Sequence, residues 1–181
     1  MTLSDAQSKR AEAKERRAVE ARERHILIGR AVEAGARVEL HLRQLFCALL
    51  DTPYAGVVAA GESVDNLVNN CTALLKVHSG VPRDSRERVE ANLKNVRNLM
   101  SERNALAHGL WLGQGAEEGD QREPILLVSK RRKAEDVRVR TRAEVEKLAA
   151  DLQAEATAIF EWTLKVLPDG IRRQQIYPSS R

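Results

Sequence analysis

Apolar residues recur at every third or fourth position over most of this chain, and that spacing predicts amphipathic α-helices. The four expected helices span residues 26–50, about 55–77, about 85–108 and 142–167. Short connections between consecutive helices favour antiparallel neighbours, so the pattern predicts an up-and-down bundle.

Local signals set the expected helix ends. Pro53 ends the first helix, because proline disfavours helical backbone in the residue before it. Asp84 or Ser85 is expected to cap the third helix through its side-chain oxygen. Thr141 and Glu144 have the spacing of a capping box and open the fourth.

The helical period disappears between the third and fourth helices, where glycine and proline interrupt the chain. The apolar run 125–128 is followed by the alternating run 136–140, and together they predict a small antiparallel hairpin. The predicted fold class is therefore all-α, an up-and-down four-helix bundle with a small β-hairpin inserted between the third and fourth helices.

The N-terminal segment has a different character. It alternates acidic and basic residues without an apolar stripe, which predicts a charged, solvated helical extension. Alternatively, the basic residues of this extension contact RNA. We divide the chain into this N-terminal extension (1–25), the helical bundle (26–170) and a C-terminal tail (171–181).

Composition narrows the class of protein. The 181 residues are 43% hydrophobic and 31% charged, which suits one domain with a continuous core. No apolar run approaches the roughly 18 residues that span a bilayer, and the N-terminus lacks a signal-peptide core. We therefore expect a cytoplasmic protein without a membrane partner. The net charge of +4 is compatible with a polyanionic ligand.

Cysteines and histidines give no sign of a metal site. Cys47 and Cys71 lie inside helical patterns with apolar neighbours, as reduced, buried thiols do. No histidine pair has the spacing of a helical metal site, and no Cys-x-x-Cys is present. We expect no metal and no cofactor.

The end of the third predicted helix gathers three residues that suit phosphodiester chemistry. His108 precedes Gly109, which is expected to end the helix in a left-handed conformation. Unpaired carbonyls at that end favour the imidazolium, and histidine exchanges protons near neutral pH. Asn104 lies four residues earlier on the same face, and Arg103 lies at its edge. A guanidinium there can bind a phosphate through two hydrogen bonds.

The stretch Arg103-Asn104-Ala105-Leu106-Ala107-His108 has the form of a family signature. It resembles the HEPN superfamily (higher eukaryotes and prokaryotes nucleotide-binding), whose signature is Arg, four to six residues, then His. The form Arg-Asn-x-x-Ala-His-Gly-x-Trp recurs in bacterial members, and Gly109 and Trp111 match it. The resemblance covers roughly residues 26–167 in layout, but its specific part is under ten residues.

The resemblance implies a metal-independent endoribonuclease that acts as a homodimer with one composite site. By analogy Arg103 holds the scissile phosphate, His108 is the general acid or base, and Asn104 orients the pair. The RNA 2′-hydroxyl would attack and leave a 2′,3′-cyclic phosphate. Many small bacterial relatives look like toxins or defence effectors, which implies a neutralising protein or a nucleotidyltransferase as a further partner.

RNA binding also needs positive charge near the site. The densest basic cluster is the predicted hairpin, so its basic residues are the expected nucleic-acid contacts. They are Lys130, Arg131, Arg132, Lys133, Arg138 and Arg140. Three acidic residues near predicted inner faces, Glu39, Glu62 and Asp65, are candidates to support Arg103.

Two other functions remain open from the sequence. The same bundle would serve as a non-catalytic module that binds RNA, a nucleotide or a partner protein. It would also serve as a purely structural helical dimer. The presence of both Arg103 and His108 favours the enzyme over the structural dimer, but does not separate it from the binding module.

Overall fold

The structure, a computed structural model, describes residues 3–113, 125–129 and 138–170. Its elements in chain order are α1 (Leu3–Leu50), α2 (Ala55–Ala59), α3 (Val64–Val77), α4 (Arg83–His108), β1 (Gly109–Gly113), β2 (Ile125–Ser129), β3 (Arg138–Arg140) and α5 (Arg142–Val166). Helices make up most of the described chain and contain nearly all of its buried residues, which confirms the all-α class.

Helix α1 is continuous from the charged N-terminal segment into the apolar part of the chain. Its buried stripe begins at Leu27 and continues through Ala31, Val38 and Leu42. The helix ends at Leu50, as predicted, and Asp51 follows in the left-handed conformation with φ 48°. Aspartate tolerates this conformation better than most residues.

The expected single helix over 55–77 is wrong, because the chain breaks between α2 and α3. Gly61 adopts φ 80°, which only glycine enters at no steric cost. Ser63 then caps α3, its hydroxyl oxygen accepting a hydrogen bond from the backbone amide of Asn66 at 3.2 Å. Both signals stand in the sequence, as a glycine followed two residues later by a serine.

Both expected ends of α4 need correction. The backbone amide of Arg86 donates to the carbonyl of Pro82, so Asp84 lies in the first turn and is not the N-cap. At the other end, Gly109 is the first residue of β1, paired with Ser129, and not a left-handed cap. The helix therefore passes directly into a strand, in a stretch where the sequence predicted a loop.

The three strands form one sheet of order β1-β2-β3 with antiparallel neighbours. Trp111 is paired with Leu127 across β1 and β2, and Leu127 is paired with Arg138 across β2 and β3. Strand β2 also contacts α4. Residues 130–133, the predicted basic turn, lie outside the described residues.

Helices α1 and α5 run parallel, as their contacts show: the residue numbers of the contacting pairs increase in the same direction along both helices. The contacting pairs are Glu23 with Arg142, His41 with Phe160, and Ala48 with Gly170. An up-and-down bundle requires its first and last helices to be antiparallel, so this part of the predicted topology is wrong. The reason is the connection 51–63, which contains α2 and carries the chain back before α3 begins.

Helix α4 lies antiparallel to α5. Asn95 donates a hydrogen bond to Glu155 at 3.0 Å, and the indole nitrogen of Trp162 donates to the carbonyl of Ser85 at 2.9 Å. Helix α4 also contacts α1 and α3, so its last turns are held against several neighbouring helices.

The core consists mainly of leucine, valine, alanine and isoleucine side chains. Cys71 is buried within it, and burial together with the nearby Cys47 raises the pKa of its thiol to about 12. Burial also raises the pKa of the partly buried Cys47. Both thiols are therefore protonated at neutral pH. Within the described ranges, no helix is long and apolar enough to cross a bilayer.

Candidate functional site

The predicted site residues lie on the last two turns of α4, just before the chain enters β1. Met100 and Leu106 are buried and fix the rotation of these turns against the core. Asn104 and His108, four residues apart on the helix, are both exposed. The side chain of Arg103 is turned toward the other helices and is only 15% exposed.

Arg103 lies across α1 and is held there by two contacts. One terminal nitrogen, Nη2, is 3.5 Å from Oε1 of Glu39, and the other, Nη1, donates to Oδ1 of Asn104 at 2.9 Å. Its Nε lies over Gly35, where an added Cβ would fall only 2.6 Å from it. Glycine at this position is therefore what allows the side chain to cross the helix.

Glu39 pairs with two arginines. Its second oxygen, Oε2, is 4.0 Å from Nη2 of Arg43, one turn further along α1. The Nε atoms of both Arg43 and Arg103 are buried and have no hydrogen-bond acceptor in the part of the chain that the structure describes. Two guanidinium groups thus share one carboxylate, which leaves an excess positive charge. Such a cluster suits an anion with several acceptor oxygens, such as a phosphate.

His108 stands apart from this cluster. Its ring is exposed, and it makes no hydrogen bond or ion pair with any side chain that the structure describes in the helices α1 to α5. The structure therefore joins Arg103 to Asn104 directly and places His108 one helical turn beyond them, open to a ligand or a second protein chain.

Of the three acidic residues expected to support Arg103, only Glu39 does so. Glu62 accepts a hydrogen bond from the side chain of Asn66 at 2.8 Å. Asp65 lies 3.5 Å from the guanidinium of Arg97. The expectation is wrong for these two residues, because the break between α2 and α3 directs them to other partners.

The predicted basic cluster is described only in part. Lys130, Arg131, Arg132 and Lys133 lie outside the described residues, and Arg138 is placed by its backbone in β3. The side chain of Arg140 lies 2.9 Å from Oε2 of Glu102 and 3.9 Å from Oε1 of Glu144. These carboxylates balance its charge, so Arg140 attracts an anion less than a free arginine would.

Sequence reasoning missed Gly35 and Arg43 as members of the site. A glycine inside a long helix costs about 0.5–1 kcal/mol relative to alanine, so its place in the apolar stripe of α1 indicated a close approach. Arg43 follows Glu39 by four residues, the spacing of a helical ion pair. Neither signal names Arg103 as the partner, because that contact joins two helices far apart in sequence.

No protein-family model, curated protein or solved structure matches this chain. Its function has to be inferred from the chemistry of its own residues and from the short motif around His108.

Proposed function

We propose that this chain is a HEPN-type endoribonuclease that cleaves RNA without a metal ion, through Arg103, Asn104 and His108. The observation that carries the proposal is the state of the Arg103 guanidinium. It is aligned by Glu39 and Asn104, and it shares the single carboxylate of Glu39 with Arg43, so the two arginines keep an excess positive charge. An aligned arginine whose charge is only partly neutralised suits recognition of a phosphodiester.

Arg43 extends this binding site along α1. Because Arg43 and Arg103 share Glu39, a bound phosphate would offset the excess positive charge instead of adding uncompensated charge. Preorganised donors of this kind stabilise charge that grows on the phosphate oxygens in the transition state. We assign Arg103 to the scissile phosphate and Arg43 to the same cluster.

His108 is the residue for proton transfer. The 2′-hydroxyl attacks the adjacent phosphorus, the bond from phosphorus to the 5′-oxygen breaks, and a 2′,3′-cyclic phosphate forms. The imidazole of His108 takes the proton from the 2′-hydroxyl and, as the imidazolium, gives it to the leaving 5′-oxygen. In a homodimer, His108 of one copy would act on a phosphate that is held by the partner subunit's Arg103.

The hairpin of β2 and β3 would guide the RNA toward this site. Its predicted turn, residues 130–133, is entirely basic, and β2 contacts α4, the helix that carries the motif. Attraction of the phosphate backbone by such a cluster is sensitive to salt.

A non-catalytic binding module is the second candidate function. The observation that favours it is the separation of His108 from Arg103 and Asn104, since no hydrogen bond joins them within the described chain. The arginine cluster alone would suffice to hold the phosphate of an RNA or a nucleotide.

Incubation of the purified protein with mixed-sequence RNA in EDTA tests the proposal. Wild type should cleave and leave 2′,3′-cyclic phosphate ends. His108→Ala and Arg103→Ala should each lose about a hundredfold or more, since general acid–base and oxyanion contributions are of that size. Arg97→Ala is the matched control, because Arg97 also lies on α4 but pairs with Asp65.

Cleavage that survives either substitution, or an inactive wild type, contradicts the enzyme. An inactive wild type that binds RNA through Arg103 would establish the binding module instead.

A further inference from the structure

A groove of about 470 Å³ lies between α4 and α5, away from the arginine cluster. Ala91 on α4 and Ala158 on α5 line it, and their small side chains leave space beside the ring of Trp162. The charged and polar lining comes from Arg88, Asn92, Glu161 and Lys165. No role in the proposed chemistry uses these residues.

Trp162 is held in one orientation. Its indole nitrogen donates to the carbonyl of Ser85 at 2.9 Å, and part of its ring packs against the core. The next residue, Thr163, is buried and fixes this turn of α5. The remaining part of the ring lines the groove as a rigid aromatic surface. Such surfaces stack nucleobases with little regard to sequence.

The charges of the groove suit a phosphate backbone beside that base. Neither Arg88 nor Lys165 is paired with a carboxylate within the described part of the chain. Glu161 supplies the opposing charge, so the lining holds two cations and one anion, together with the amide of Asn92. An aromatic ring flanked by unpaired cations is the usual arrangement for a single-stranded nucleic acid.

Helix α4 connects this groove with His108. Sixteen residues separate Asn92 from His108, which corresponds to about 24 Å along the helix. The exposed residues between them include the neutral hydrogen-bonding groups of Asn95, Asn98 and Ser101 and the cations Lys94 and Arg97. Of the carboxylates beside them, Glu102 pairs with Arg140, and Glu155 accepts from Asn95 through one oxygen while its other oxygen is buried and has no partner in the described chain.

We propose that the Trp162 groove is a base-stacking subsite for a single-stranded RNA whose scissile phosphate lies at His108. This inference depends on the proposed ribonuclease function and specifies its substrate as an unpaired strand that extends along α4. The subsite contributes binding and does not touch the reacting atoms.

A fluorescence titration tests the subsite without any cleavage. Trp111→Phe leaves Trp162 as the single tryptophan, and the probe is a 2′-O-methylated oligonucleotide of about ten nucleotides, within the usual site size of single-strand-binding folds. Methylation blocks the attacking hydroxyl, so binding is measured alone. We expect quenching of Trp162 that saturates with the oligonucleotide.

Groove-filling variants then locate the binding. Ala158→Leu and, from the other helix, Ala91→Leu should each weaken binding about tenfold, the loss expected when one base no longer stacks. Trp162→Phe removes the reporter, so its binding is measured by the fluorescence anisotropy of a dye-labelled probe, and it should retain most of the affinity because it keeps an aromatic ring. Ala73→Leu is the matched control, since Ala73 lines the separate groove between α3 and α4.

Absence of quenching, or wild-type affinity in both leucine variants, would overturn the subsite. The two proposals fail separately. A protein that binds the probe at Trp162 but leaves unmodified RNA intact contradicts the ribonuclease and keeps the subsite. A protein that cleaves RNA with an unchanged KM in both variants contradicts the subsite alone.

Discussion

Arg103 can lie across α1 because Gly35 has no side chain to block it. In Gly35→Ala the new methyl group would fall 2.6 Å from Nε of Arg103 and 3.3 Å from two of its carbons, so the side chain must shift from its position over α1. We expect the contact with Glu39 to be lost and RNA cleavage to fall at least about tenfold, since misplaced catalytic groups commonly cost that much.

Gly29→Ala provides the matched control for this substitution. Gly29 lies on the same helix and has no atom within 4 Å of an added Cβ. Its replacement should raise the free energy of unfolding by about 0.5–1 kcal/mol and leave cleavage unchanged. Equal activity of the two variants, measured beside their denaturant midpoints, would show that the position of Arg103 does not matter.

The sequence predicts where three residues of this candidate site lie on α4. Arg103, Asn104 and His108 share the end of one helix, and helical spacing alone places them there. The contact between Arg103 and Glu39 is of another kind, because it joins α4 to α1 across the core. Periodicity identifies the buried face of a helix but not the residue on the other helix that meets it.

The first turn of α5 carries a complete capping box, as the sequence predicted. The hydroxyl oxygen of Thr141 accepts from the backbone amide of Glu144, and a carboxylate oxygen of Glu144 accepts from the backbone amide of Thr141 at 2.7 Å. Thr141→Ala should lower the free energy of unfolding by about 1 kcal/mol, measured by urea denaturation at neutral pH.

The same box predicts a pH dependence. The hydrogen bond from the Thr141 amide lowers the pKa of Glu144 in the folded protein. Its stabilisation is therefore complete above the unfolded value of about 4.3 and is lost as pH falls through the folded value. The stability difference between wild type and Glu144→Gln should shrink on acidification below that value.

Glu146→Gln is the control for the capping box, because Glu146 lies on the same turn and pairs with Arg142. An identical pH dependence in both variants would contradict the specific role of Glu144.

Among the elements, those marked by local chemistry were predictable. The end of α1 and the capping box of α5 depend on neighbouring residues only. The break at Gly61 and the strand that begins at Gly109 were missed. The direction of α5 relative to α1 was also wrong, because a short connection does not by itself fix which way the next helix runs. In this protein the connection between α1 and α3 returns along the molecule.

At the scale of the whole molecule, the end of α4 is tied to two different neighbours. Arg103 reaches Glu39 on α1, and Glu102 pairs with Arg140 at the end of β3. These contacts hold the last turns from both sides and leave His108 exposed beyond them. In the proposed homodimer, this exposed histidine would meet the arginine cluster of the partner subunit.

A composite site requires two chains for activity, and mixing two inactive variants tests this requirement. Arg103→Ala and His108→Ala should each be inactive as pure dimers. After exchange of subunits, about half of the dimers should be heterodimers, which place the intact Arg103 of one chain opposite the partner subunit's His108. We expect cleavage to reappear in the mixture, with a dimer seen in a sizing experiment. Activity equal to the average of the two pure variants, in a sample shown to exchange subunits, would contradict the composite site. Each chain would then contain a complete site, and a heterodimer could not repair either one.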